Sequence, residues 1–334
     1  MNLKLFLPVA LLATTLAGCS SAPPKLTGDE PLTVKDFIKS EEDYKLKGVK
    51  KVAIPNFFVQ FARDEGIEVT SRNGMYTTGM QSYFTQTRVS NETLQKVADQ
   101  LYDGFVAELK NAGIEVMPIE EMDKHKAFKA LRESARKSPY IEEANGGDGK
   151  KNFLGVSILT SAKGLPINIM NTKDERWLRP GISDGFRRAL ENSPPDLADD
   201  WEIPLLNVRM TISMITQKGS GYAGYYSNNY NFKTDLYPRF VEDATLVSVL
   251  TDDDDDRISL TQPVVIKGLT ITGTEGSGAG ARGSGIFGAV GRMVGGSADK
   301  PADTYIDIDA DNFASSVTAR GREVARLFIE TMTK

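Results

Sequence analysis

The chain has 334 residues, of which 25% are charged, 40% hydrophobic and 8% aromatic, and its net charge at pH 7 is −5. This composition is typical of a folded globular protein and argues against wholesale disorder, a polytopic membrane protein and a nucleic-acid binder. With one histidine, His125, and one cysteine, Cys19, the chain cannot build a Cys/His zinc site, a thiol–histidine pair or an internal disulfide. Since no other pair of residues stands out as an acid/base couple, we expect no enzyme activity, no cofactor and no metal.

Residues 1–18 have the pattern of a secretory signal peptide. Lys4 precedes an apolar run, Leu5 to Leu12, which is too short for a membrane-spanning helix of about 20 residues. The sequence Leu16-Ala17-Gly18-Cys19 matches the bacterial lipobox. This resemblance implies transfer of diacylglycerol to the Cys19 thiol, cleavage before Cys19 and acylation of the new amino terminus, for example with palmitate. An incidental cysteine behind a plain secretory signal is the alternative.

The residues after the lipobox predict where the protein lies. Several acyl chains hold a protein stably to a membrane. Ser20 occupies the position where an aspartate usually signals inner-membrane retention in Gram-negative lipoproteins. We therefore predict a lipid-anchored protein on the periplasmic face of the outer membrane. Residues 19–35, polar and proline-rich, predict a tether, and residues 36–334 predict a single periplasmic domain.

The first half of this domain is predicted from apolar periodicity and capping signals. The apolar run 51–59 predicts a strand buried on both faces, which Pro55 ends or interrupts with a bulge. Residues 60–89 predict an extended loop or a β-hairpin. An apolar stripe predicts a helix over 91–111, capped by Ser90. A strand at 114–119 and a second helix at 120–138 complete an order that favours a parallel sheet.

The second half is predicted to be rich in strands. Residues 205–216 alternate between apolar and polar, which predicts a strand with one exposed face. Asp309 or Asp311 is expected to cap a last helix. The other predicted segments are strands at 152–162, 245–250, 258–260, 264–272 and 305–308, a loop-rich insertion at 166–201 and a glycine-rich loop at 276–297. The predicted fold class is α/β: a mixed sheet flanked by helices, with an antiparallel β extension and a C-terminal helix.

The order of lipobox, tether, strand, helix, strand and charged helix resembles the curli-secretion lipoprotein (CsgG-like) superfamily, which includes a flagellar outer-membrane lipoprotein group. The resemblance is one of topology and covers about 50–160 and 203–220. It implies a CsgG-like or anticodon-binding-like αβ core on the periplasmic side of the outer membrane. The secretion channel of that superfamily is a ring whose subunits donate β-hairpins to a pore. Because 75–89 lacks the alternation of membrane strands and only 205–216 shows it, the sequence does not predict a channel.

Three further segments have two interpretations each. The run Asp252–Asp256 favours a solvated hairpin tip over a cation site, because contiguous carboxylates cannot all point at one ion. The segment 276–297, with nine glycines in 22 residues, favours a linker over a docking loop. His125 lies between two lysines and is expected to be exposed.

Seven aromatic residues lie within 222–240, mixed with asparagines. Tyrosine with asparagine is typical of recognition surfaces and of sugar stacking, and cross-strand aromatic pairs are the alternative. The predicted recognition residues are Tyr222, Tyr225, Tyr226, Tyr230, Phe232 and Tyr237.

These observations lead to two hypotheses about function. The first is a non-enzymatic assembly or adaptor subunit of an envelope or secretion-related complex, with the membrane as one partner and envelope proteins or further copies of the chain as others. The alternative is a periplasmic lipoprotein that binds a glycan or a lipid.

Overall fold

The structure is a computed structural model that describes residues 28–40, 46, 48–73, 76–144, 155–167, 201–223, 228–251, 255–276, 292–294 and 303–334. The signal peptide, Cys19 and most of the insertion at 166–201 lie outside the described residues. The predicted fold class is confirmed: the protein is mixed α/β, with a large mixed sheet, a second small sheet and several helices, one of them C-terminal.

The secondary structure of the described residues comprises fifteen strands and five α-helices. The strands are β1 (Ile38–Ser40), β2 (Lys51–Ala62), β3 (Asp64–Asn73), β4 (Tyr76–Arg88), β5 (Glu115–Val116), β6 (Tyr140–Ala144), β7 (Gly155–Ser161), β8 (Leu205–Ala223), β9 (Asn228–Phe240), β10 (Leu246–Leu250), β11 (Asp255–Leu260), β12 (Val264–Val265), β13 (Ile271–Gly276), β14 (Arg292–Val294) and β15 (Asp303–Ile308). The helices are α1 (Val34–Phe37), α2 (Asn91–Asn111), α3 (Ile119–Met122), α4 (Lys126–Ser134) and α5 (Ala310–Thr333).

The large sheet is centred on β2, in the order β1-β11-β10-β8-β2-β7-β6. β2 runs parallel to β8 and β5 and antiparallel to β7, so the parallel sheet favoured by the sequence is only part of a mixed one. The register between β2 and β8 shifts between Ala53 and Asn56, which places a bulge around Pro55. The second sheet has the order β13-β15-β4-β3.

The two long helices have the caps that the sequence predicts. The Ser90 side chain accepts a hydrogen bond from the Thr93 N–H at 3.2 Å, and the Asp309 carboxylate accepts one from the Asn312 N–H at 2.8 Å. Each bond satisfies a backbone donor that has no partner within its helix. Gly113 follows α2 with a φ of +81°, in the left-handed region that ends helices.

The main core lies between one face of the large sheet and the helices α2 and α5. Phe57 of β2 packs edge-on against Tyr102 and Phe105 of α2, with ring centroids 5.4 and 6.0 Å apart. Burial of a large apolar side chain contributes roughly 1.5–3 kcal/mol, so this layer holds the helices on the sheet.

The predicted helix at 120–138 is wrong in one respect, because α3 and α4 are separated at Asp123–His125. The Trp201 ring packs at 80° to the His125 ring, with centroids 5.0 Å apart, and lies 6.1 Å from the ring of Phe128. His125 is therefore half-buried rather than exposed. Trp201 follows about 75 residues later in the chain, so local periodicity could not show this contact.

The predicted exposed face of β8 is buried. Arg209 is 7% exposed, and its Nη2 donates to the Gln60 Oε1 at 2.5 Å. The Thr211 hydroxyl donates to the Ala244 carbonyl at 2.8 Å. Alternation predicted the strand correctly, but the side chains of Arg209, Thr211 and Ser213 make internal hydrogen bonds instead of facing water.

Candidate interaction surface

Two β-hairpins continue outward from the centre of the large sheet, and we call them the arms. β2 leads through Arg63 into the β3–β4 arm, and β8 leads into the β8–β9 arm. β8 pairs with β2 as far as Ser213 but with β9 as far as Ala223. At a rise of about 3.3 Å per residue, the segment 214–223 extends roughly 33 Å past its pairing with β2. β3 lies against β8, so the arms run side by side.

The predicted recognition residues are distributed along the β8–β9 arm. Tyr222 belongs to β8, whereas Tyr230, Phe232 and Tyr237 belong to β9; Tyr225 and Tyr226 lie outside the described residues. The arm therefore places four of the six predicted residues on two adjacent strands.

The pairing register of the β8–β9 arm bears on the alternative interpretation of these aromatic residues, which is that they form cross-strand pairs. Tyr230 is in register with Gly221, and Phe232 with Gly219. An aromatic residue directly opposite a glycine is a pairing that stabilises strands. This register is compatible with the alternative interpretation of the segment as a pair of strands with cross-strand aromatic residues.

The base of the β8–β9 arm is fixed to the core. Phe240 is fully buried, and the Arg239 guanidinium lies 5.2 Å from the centroid of the Tyr237 ring. Arg239 Nη1 also donates to the carbonyls of Ile215 and Tyr237 at 3.2 and 3.0 Å. Burial raises the pKa of Tyr237, and the nearby Arg239 opposes that rise. Tyr237 is thus held at the base, half-buried, rather than presented on a loop.

The outer edge of β9 is paired with two short strands. β12 pairs with β9 at Arg239 and Phe240, next to the base. β14 pairs antiparallel with 233–235, farther along the arm. Three residues of the glycine-rich segment predicted as a loop, 292–294, are therefore a strand of the large sheet.

The described N-terminal end of the chain lies beside β12. Asp29 forms an ion pair with Lys267, and the Gly28 N–H donates to the Glu30 carboxylate at 2.7 Å. Leu32 and Val34, which fall within the predicted tether, pack against the core. Since each residue spans at most about 3.6 Å, a lipid on Cys19 would lie within roughly 35 Å of Gly28. Gly28 itself lies against Val265 of β12, which pairs with β9 at the base of the β8–β9 arm.

A polar groove of about 630 Å³ lies along the exposed side of α2. The Lys163 N–H donates to Asp99 Oδ1 at 2.7 Å, and the Lys163 ammonium donates to Asp103 Oδ2 at 2.9 Å. This hydrogen bond to the Asp103 carboxylate raises the pKa of Lys163. Gln95 completes this wall by donating to the Ser161 carbonyl at 2.8 Å. Sequence reasoning missed the groove because Lys163 is 60 or more residues away in the chain from the two aspartates of α2 that it contacts.

The interpretation of Asp252–Asp256 as a solvated tip is wrong for its last residue. Asp256 is 2% exposed and accepts hydrogen bonds from the Ser40 hydroxyl at 2.7 Å and from the Arg257 N–H at 2.6 Å. Residues 252–254 lie outside the described residues. Within the described ranges, no three His, Cys, Asp or Glu side chains are placed to hold a metal ion.

No protein-family model, curated protein or solved structure matches this chain. Of the helices that the structure describes, none is both long and apolar enough to span a membrane. The arms, the edges of their strands and the lipobox-like sequence at 16–19 are therefore the features that bear on function.

Proposed function

We propose that this protein is a non-enzymatic lipoprotein, anchored through Cys19 on the periplasmic face of the outer membrane, that serves as an assembly or adaptor subunit of an envelope or secretion-related complex. The observation that carries the proposal is the β8–β9 arm, which extends roughly 33 Å past the pairing of β8 with β2. Strands that leave their sheet present backbone N–H and C=O groups, which pair readily with other chains. The lipobox at 16–19 supports the anchor.

The energetics of the arms also favour a partner. An isolated two-stranded hairpin is only marginally stable in water. The β3–β4 arm lies against β8, and together the two arms form a group of four strands. β-Strand addition or packing by a neighbouring subunit would stabilise this group further. An assembly subunit gains from such a surface, whereas a monomeric ligand binder has no need of it.

The experiment shortens the β8–β9 arm without changing its register. Gln217 and Thr234 are directly opposite each other, so replacing 218–233 by Asn-Gly closes the hairpin with a two-residue turn. The acylated full-length protein is expected to form an oligomer or a complex in mild detergent, and the shortened variant should lose it while keeping its melting temperature within a few degrees. Lys96→Ala, in the groove along α2, is the control and should behave like the wild type.

The groove along α2 is the observation that favours the alternative, a ligand-binding lipoprotein. Its volume of about 630 Å³ lies within the roughly 300–1,000 Å³ that is usual for small-molecule sites. In that case the wild type should be monomeric in mild detergent, and its melting temperature should rise with a glycan or a lipid. Glu92→Ala, in the groove wall, should then reduce the rise, and shortening the arm should not.

A further inference from the structure

β14 occupies an unusual position in the chain. β13 and β15 form an antiparallel pair in the second sheet, and Gly276 is in register with Thr304 at its end. Between these two strands in the chain, β14 (Arg292–Val294) pairs with β9 of the other sheet. β14 is thus a strand carried on a long insertion whose two ends lie side by side.

β14 pairs with β9 over only three residues, in a defined register. Arg292 is opposite Asp235, Met293 is opposite Thr234 and Val294 is opposite Lys233. Three residue pairs form few hydrogen bonds, and the net contribution of each is modest because water replaces it. Gly291, Gly295 and Gly296 flank the strand, and glycine loses more conformational entropy on ordering than any other residue. Since only three residue pairs hold β14 in place, we expect it to leave β9 readily.

We propose that β14 exchanges between β9 of its own chain and β9 of a second copy, and so links neighbouring subunits by strand swapping. The proposal rests on the proposed function as an assembly subunit. The same three residue pairs form in both arrangements, so the intrinsic pairing energy is the same and the concentration of neighbours decides which one is populated. Confinement to a membrane surface through the anchor raises that concentration.

The length of the insertion limits the distance over which this exchange works. Eight residues separate Val294 from Asp303 at the start of β15. At no more than about 3.6 Å per residue, they let β14 move roughly 30 Å from β15. A neighbouring β9 must therefore lie within that distance, as it would when two arms are side by side.

The test is a disulfide between two different chains. Met293 and Thr234 are directly opposite on antiparallel strands, where Cα atoms about 4.5–5.5 Å apart suit a disulfide. One tagged full-length chain carries Met293→Cys and a second, differently tagged chain carries Thr234→Cys, and both are expressed together and oxidised in intact cells. Each single variant expressed with the wild type shows any background from Cys19.

We expect a disulfide-linked pair carrying both tags, lost on reduction. The matched control replaces Thr234→Cys by Asn229→Cys, five residues along β9 and outside the register of β14. The control should give at least roughly tenfold less product, because thiols held far apart do not bridge. A chain carrying both Met293→Cys and Thr234→Cys serves as the intrachain reference.

The possible failures are distinguishable. If the wild type oligomerises but the Met293→Cys and Thr234→Cys chains do not cross-link to each other, strand swapping is wrong and the assembly proposal stands. If the wild type is monomeric at its native abundance, the assembly proposal itself fails. Strand swapping would also be refuted if the Met293→Cys chain cross-linked equally to the Thr234→Cys chain and to the Asn229→Cys chain. That result would show that the chains touch but that β14 and β9 do not pair in the expected register.

Discussion

Gly321 of α5 lies directly against Leu101 of α2, so a larger residue at position 321 would force the Leu101 side chain to shift. A Cβ atom on Gly321 would collide with Leu101 Cδ2 and come within 3.2 Å of Phe240 Cζ. Phe240 is the fully buried last residue of β9. The close approach of the two helices at Gly321 therefore also positions the base of the β8–β9 arm.

Gly321→Ala is expected to destabilise the protein by up to about 2 kcal/mol. Overpacking costs roughly 1–3 kcal/mol, more than the ~1 kcal/mol that alanine gains over glycine within a helix. The matched control is Gly104→Ala on α2, where the nearest contact of a new Cβ is 4.0 Å away, at Arg322 Cβ. That variant should be stabilised by up to about 1 kcal/mol. Urea unfolding of both variants checks the prediction, and stabilisation of both would contradict it.

Tyr102 is expected to make the protein less stable at alkaline pH. Burial among apolar side chains, with Asp103 and Glu120 nearby, raises the pKa of its phenol to about 12. The folded protein therefore holds this proton in a range where the unfolded chain releases it, so stability falls as the pH rises from about 10 to 12, by roughly 2–3 kcal/mol in all. Tyr102→Phe keeps the ring against Phe57 and should remove this part of the loss. If wild type and variant lose stability in parallel across that range, the assignment to Tyr102 is wrong.

The elements fixed by local signals were predictable from the sequence. The stripe of α2, the hydroxyl of Ser90 and the carboxylate of Asp309 each act within one turn of helix, and the structure has both helices with those caps. The continuous apolar run of β2 likewise predicted a strand buried on both faces. In these cases the residues that decide the conformation are neighbours in the chain.

The sequence-based predictions are wrong where residues distant in the chain determine the local structure. Arg209 looked like a solvent-facing residue of an alternating strand, but Gln60 from another strand accepts its hydrogen bond inside the protein. Trp201 packs at the junction of α3 and α4 from outside the local pattern. The arms, the groove beside Lys163 and the pairing of β14 depend on strand register and on loop closure, which single-sequence periodicity does not encode.

Ser40 and Asp256 are expected to stabilise the protein as a coupled pair. Ser40→Ala removes a donor from a buried carboxylate and should cost roughly 1–3 kcal/mol. In Asp256→Asn the same Ser40→Ala change should cost less, with a coupling of about 0.5–3 kcal/mol in a double-mutant cycle. Ser315→Ala, an exposed hydroxyl on α5, is the control and should change stability by less than about 0.5 kcal/mol. Additive effects of Ser40→Ala and Asp256→Asn would exclude the coupling.

Cys19 is expected to carry the lipid. Cells grown with radiolabelled palmitate should label the wild type, and Cys19→Ala should take up no label and leave the membrane fraction. Ser20→Asp is the informative second variant, because an aspartate in this place should move the acylated protein to the inner membrane. Label on Cys19→Ala would refute the lipoprotein assignment.

The most direct measurement is site-specific photo-cross-linking in intact cells from single positions on the acylated, full-length protein. A photoreactive residue at position 230 of β9 should give a discrete product heavier than the monomer, whereas one at Lys96, in the groove along α2, should leave the protein monomeric. Shortening the arm should abolish the product of a probe placed at 217. Only monomer from position 230, or equal products from 230 and 96, would contradict assembly through the β8–β9 arm.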